Sequence, residues 1–222
     1  MFTHVKQLED FAQAKTVPGV GRKYFTETGA AYPSVTTVLG VLSKHAIMAW
    51  RKRVGEEEAN KISRQASTRG TKIHALCEDV LNNKDVDINE MSLLDQEMFK
   101  SFRPVLDRID NIHCQEVALY SNHLRMAGRV DCIGEFDGKL SVIDFKTSGK
   151  PKKKEWIENY FAQAAAYGIM YEERTGIPVA QSVILIAVEG HEPQVFIEKR
   201  DDHLDLLFKA RDQWESENET AA

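Results

Sequence analysis

The chain has 222 residues, and its 34 acidic and 29 basic side chains leave a formal charge of -5. That balance excludes a global positive field as the means of drawing in nucleic acid, so any phosphate contact must come from local basic patches. The three cysteines, Cys77, Cys114 and Cys132, form no CxxC pair, which argues against a structural zinc or iron-sulfur cluster and for a reducing compartment. No apolar run reaches the roughly 18 residues that cross a bilayer. The amino-terminal stretch MFTHVKQLEDFAQAK lacks a hydrophobic signal core and is too acidic for a presequence, so a cytoplasmic setting is expected.

In chain order, Pro18-Gly19, Gly21 and the β-like residues 23–26 predict a loose hairpin. Ser34 can cap a helix carrying Val35, Val38, Leu39 and Leu42, and a second helix with Met48, Trp50 and Val54 is expected from about His45. Residues 56–82 read as a helix broken near Gly70, with Ile73, Leu76, Cys77, Val80 and Leu81 as its buried stripe. Lys61, Arg64, Arg69 and Lys72 lie at spacings that offer a phosphate track. Residues 92–109 form a further helix that Pro104 can kink. Strands follow at 112–120, 129–136 and 140–146, then a basic loop at 149–154 and a helix at 155–174 rich in alanine. Residues 182–188, SVILIAV, read as a strand covered on both faces. A strand at 194–198, a helix at 201–214 and a frayed tail at 215–222 complete one domain. Residues 33–110 are its mainly helical part and 111–214 its sheet and covering helices.

The Asp137-Gly138 dipeptide between two apolar runs marks a two-residue hairpin turn. Counting outward from it, Phe136 faces Lys139 and Asp131 faces Asp144, the latter as a non-hydrogen-bonded pair with Cα atoms roughly 4.5 Å apart. Two carboxylates so placed repel unless a proton or a divalent cation intervenes. Lys146 falls on the same face two residues on.

These residues form a pattern that resembles the PD-(D/E)xK nuclease superfamily: Asp131 on one strand and Asp144-Phe145-Lys146 on the next. Val130 stands where that signature commonly has proline. The pattern looks like the RecB-like branch in particular, through Gly70-Thr71-Lys72-Ile73-His74 (GxxxH), Gly128-Arg129-Val130-Asp131 (GxxD), Asp144-Phe145-Lys146-Thr147 and Gln163-Ala164-Ala165-Ala166-Tyr167 (QxxxY). PSVT at 33–36, followed by a tryptophan-bearing helix, is similar to the subfamily of mitochondrial genome maintenance and phage-encoded exonucleases.

The resemblance implies an α/β fold, with a mixed sheet containing an antiparallel three-strand meander, a crossing helix and an N-terminal helical elaboration. It implies Mg²⁺ or Mn²⁺, one or two ions, held by His74, Asp131, Asp144 and the Phe145 carbonyl, since hard cations take oxygen ligands. Asp131, Asp144 and Lys146 would be catalytic, with Lys146 orienting or deprotonating the attacking water and Glu116 in support. Gln163, Tyr167, Thr147, Ser148, Lys150, Arg69 and Lys72 would meet DNA. The expected function is a metal-dependent DNA exonuclease acting on single-stranded or flap ends in replication, repair or recombination, in a host cytoplasm if phage-encoded, with residues 33–82 arching over the strand. A structure-specific endonuclease and a non-catalytic DNA-binding module are the alternatives.

Overall fold

The computed structural model describes residues 1–5, 8–17 and 21–219, so the expected Pro18-Gly19 turn lies outside the described residues. Strands β1 (Ala12–Val17), β2 (Gly21–Thr26) and β3 (Ala31–Pro33) form an antiparallel sheet in that order, more regular than a loose hairpin. Its order comes from packing, because Ala12 and Tyr24 are buried against Ala118, Tyr120 and Ala127 of the main sheet.

Helix α1 (Val35–Val54) starts where expected, with the Ser34 hydroxyl accepting the Thr37 N–H at 3.0 Å. It runs unbroken where the sequence suggested two helices. From Lys44 to Ala49 every residue is exposed, so the apolar periodicity ends when the helix leaves the body although the helix continues. Helix α2 (Glu56–Leu81) likewise passes straight through Gly70. One glycine in a helix interior costs only about 1 kcal/mol, and the buried Ile73, Cys77, Val80 and Leu81 that follow anchor it. Helix α3 (Leu93–Leu106) is capped by the Ser92 hydroxyl, holds Pro104 in its last turn and stops short of Ile109, which opens the next strand.

The main sheet has the order β4-β5-β6-β7-β8, from β4 (Ile109–Ser121), β5 (Met126–Phe136), β6 (Lys139–Ser148), β7 (Gln181–Val188) and β8 (Gln194–Lys199). The first three strands are an antiparallel meander, whereas β6 and β7 are parallel. A parallel pair needs a crossover, and helix α4 (Glu158–Thr175) supplies it after a 3-10 turn over Lys154–Trp156. Gly176, at φ 74, closes α4 in the left-handed conformation.

All eight residues of β7 are buried. Ile184, Ile186 and Val188 pack into the cluster shared with α1 and α4, while Val183, Leu185 and Ala187 face α2 and α3. Helix α5 (Leu204–Glu219) begins after a 3-10 turn at 200–203. It extends beyond the expected end: Glu215 pairs with Arg125 and Arg211, and Glu217 with Lys44, so 215–219 are helical where a frayed tail was expected. Among the described residues no helix is long and apolar enough to cross a membrane.

Candidate active site

The turn joining β5 to β6 has Asp137 at φ 50 and Gly138 at φ 77, the two positive values a type I′ turn requires. The rungs from Phe136/Lys139 to Cys132/Ile143 follow the expected register. The ladder ends there, one rung before Asp131 and Asp144. Instead of a regular pair, the Asp131 carboxylate turns across and accepts the Phe145 N–H at 2.9 Å. On the other side of β5, the rungs Gln115/Cys132 and Val117/Val130 bracket Glu116 and leave it opposite Asp131, also unladdered, with Glu116 at φ 50. Glu116, Asp131 and Asp144 therefore stand in one row across three neighbouring strands, a larger carboxylate group than the hairpin alone predicted.

Helix α2 brings His74 over this row. Its Nδ1 lies 3.6 Å from Asp131 Oδ2, and its Nε2 meets the Phe145 carbonyl. His74, Glu116 and Asp131 each offer a ligand atom, all within 4.8 Å of one another. Burial and the Asp131 carboxylate push the Glu116 carboxyl up to about 7. Asp144 is also pushed up, to about 6, by burial and Asp131, against the pull of Lys146. A divalent cation is the partner that suits such a set, because it offsets the repulsion and takes oxygen and imidazole donors. A cleft of about 390 Å³ opens beside it, lined by Gly70, Thr71, His74, Ala75, Glu78 and Glu116.

Residues 45–220 match the family model described as the PD-(D/E)XK nuclease superfamily. The chain belongs to that superfamily. It is also similar to curated proteins named mitochondrial genome maintenance exonuclease 1. The match is 27% identical over 173 residues for the human protein and 28% over 172 residues for that of Xenopus tropicalis, in each case 72% of this chain and 50% of the relative. The chain thus spans about half the length of the curated relatives it matches.

Within this nuclease fold, Asp144 has partners of its own. Its Oδ1 accepts a hydrogen bond from Gln163 Nε2 at 3.0 Å, and its Oδ2 is ion-paired with Lys146. Burial works against the Lys146 ammonium, but Asp144 and Asp131 outweigh it and raise its pKa, so the group is cationic at neutral pH. Its Nζ lies 5.1 Å from the Tyr160 ring centroid.

Several residues expected to meet DNA have other partners. Gln163 fixes Asp144. Tyr167 is buried, and a β-carbon at Gly128 would sit 2.7 Å from its hydroxyl, so the glycine of GxxD and the tyrosine of QxxxY are a packing pair. Ser148 is buried and ties the following loop, accepting the Lys150 N–H at 3.3 Å and donating to the Lys150 carbonyl at 2.6 Å. Arg69 pairs with Glu189 at 2.8 Å and Lys72 with Asp95 at 3.2 Å. Thr147 is half-buried beside Gly70, and Lys150 is exposed.

Sequence reasoning missed Arg129 and Tyr160. Arg129 donates to the Glu116 carbonyl from Nη1, and its Nη2 bonds Asp10 Oδ2 at 2.8 Å. Its place inside the GxxD motif was the available signal. Tyr160, one turn before Gln163 on α4, had none until Lys146 was seen beside its ring.

Proposed function

We propose that this protein is a divalent-cation-dependent DNA exonuclease of the RecB-like branch, hydrolysing phosphodiester bonds from single-stranded or flap ends in replication, repair or recombination. The observation that carries the reading is the row Glu116, Asp131 and Asp144 with His74 on one side and Lys146 on the other. The names of the relatives support exonuclease action on DNA. Three free buried cysteines suit a reducing, cytoplasmic setting.

His74, Glu116, Asp131 and the Phe145 carbonyl would hold Mg²⁺ or Mn²⁺, with Asp144 beside them. The cation supplies Lewis-acid relief of phosphoryl charge. Lys146 contributes positive charge near the scissile phosphate and orients or deprotonates the attacking water. Gln163 keeps Asp144 in one rotamer.

The test is release of nucleotides from end-labelled linear single strands with and without Mn²⁺ or Mg²⁺, beside a covalently closed circular strand. Cation-dependent release from the linear strand and an intact circle are expected. Asp144→Asn and Lys146→Ala should each lower the rate about 10²- to 10³-fold, as loss of a transition-state charge partner does. A cut circle would replace this reading with the endonuclease, and full activity in both folded variants would remove the mechanism.

A further inference from the structure

The loop between β6 and α4 carries an exposed tryptophan that the chemistry above does not use. Trp156 is 64% exposed, although large aromatic side chains are ordinarily well buried. Its surroundings hold it in place. The 3-10 turn is closed by Trp156 N–H to the Lys153 carbonyl and Ile157 N–H to the Lys154 carbonyl, both 3.0 Å. Ile157, the next residue, is buried in the core.

The loop is also tied to β8. Gln194 bonds both backbone groups of Lys152, at 2.7 and 2.9 Å, and Lys154 pairs with Glu198 at 2.6 Å. A rigid loop therefore presents an indole face to solvent with the Lys153 ammonium 5.4 Å from its ring centroid.

The place of this ring in the chain decides its use. The loop leaves β6 just after Asp144 and Lys146, and α4 begins just beyond Trp156 with Tyr160, whose ring adjoins Lys146, and Gln163, which holds Asp144. Candidate-site residues thus precede and follow Trp156 along the chain. Lys150, Lys152 and Lys153 precede it in sequence, Lys153 being the one beside its ring, and no other large apolar residue of residues 149–160 is exposed. A protein interface would surround the ring with apolar area. A single exposed aromatic face with an ammonium beside it, in a lysine-rich loop, is instead the arrangement that takes a nucleobase by stacking and its phosphates by charge.

We propose that Trp156 is a stacking platform for an unpaired nucleobase of the single-stranded DNA that this nuclease takes. This rests on the nuclease reading and deepens it. A base within a duplex has both faces covered by its neighbours, so the platform favours unstacked strands over paired ones.

The test measures binding of the metal-free protein to a fluorescent short oligothymidylate and to an abasic oligomer with the same backbone, by anisotropy at fixed salt. Trp156→Ala should bind the oligothymidylate about 5- to 150-fold more weakly, the range that loss of one base–aromatic stack produces, and the abasic oligomer as the parent does. Trp156→Phe should fall between. If Trp156→Ala matches the parent on the oligothymidylate, or weakens both oligomers equally, the platform is overturned while the nuclease reading stands. If the parent binds neither oligomer and releases no nucleotide with divalent cation, both fall together.

Discussion

Glu116 is a residue in a costly backbone state. A non-glycine residue at φ 50 costs on the order of 1–3 kcal/mol and persists only where its surroundings over-determine it. Arg129 does this by holding the Glu116 carbonyl, and Asp10 holds Arg129 while also accepting the Ala118 N–H at 2.8 Å. The N-terminal segment thereby reaches the candidate cation site through one guanidinium. Arg129→Ala should weaken Mn²⁺ binding by about 10- to 100-fold, the usual cost of losing a group that orients a metal ligand. Arg129→Lys should lose less. Calorimetric titration of the two variants reads this directly, and unchanged affinity in Arg129→Ala would separate the clamp from the site.

Between elements, the decisive contact is that of β5 with α4. The β-carbon that Gly128 lacks would lie 2.7–3.1 Å from three atoms of Tyr167, so the helix lies directly on the strand. Gly128→Ala should destabilise the protein by about 1–3 kcal/mol through overpacking, lowering the melting temperature by about 2–4 °C per kcal/mol for a chain of this size. Tyr167→Leu removes the clashing atoms. The double variant should therefore melt near Tyr167→Leu alone, since residues in contact do not add; strictly additive losses in thermal unfolding would refute the pairing. The same contact explains why two motifs separated in sequence belong together. One supplies the gap and the other fills it, and Gln163, one turn along α4, then arrives at Asp144.

For the molecule as a whole, two buried histidines each contribute a loss of stability in acid. His113 lies 2.7 Å from the Tyr171 hydroxyl and His203 stacks on Phe161 at 4.7 Å. Burial lowers both pKa values below the ordinary one, against the opposing pull of Glu135 on His113 and of Glu198 on His203. The folded pKa lies below the unfolded one, about 6.5. The unfolded chain therefore takes up protons first, and stability is lost as pH falls below that value. The raised Glu116 and Asp144 carboxyls act in the opposite sense, gaining stability as pH falls, so the histidine contribution is read as a difference. From pH 7 to pH 5 the urea midpoint of a His113→Asn/His203→Gln variant should rise relative to that of the parent. Parallel profiles for the two proteins would remove the histidine contribution.

The sequence by itself determined most of the local elements and picked out the motif residues that the fold brings to the candidate site. The hairpin and most of its register were legible because Asp137-Gly138 permits one turn geometry, and the strand period of two then places every side chain. Ser34 marked a helix start because a cap is a local bond. What failed lay where neighbours decide. The length of α1 was hidden because its outer half touches no core, and the tail at 215–219 became helix through ion pairs with distant Arg125 and Lys44. The row of three carboxylates needed the β4–β5 register, which a bulge between Asp110 and Cys114 shifts. The partners of Gln163, Tyr167, Ser148, Arg69 and Lys72 likewise come from elsewhere in the chain. Spacing along one chain specifies which face a side chain is on, but only tertiary packing decides what meets it there.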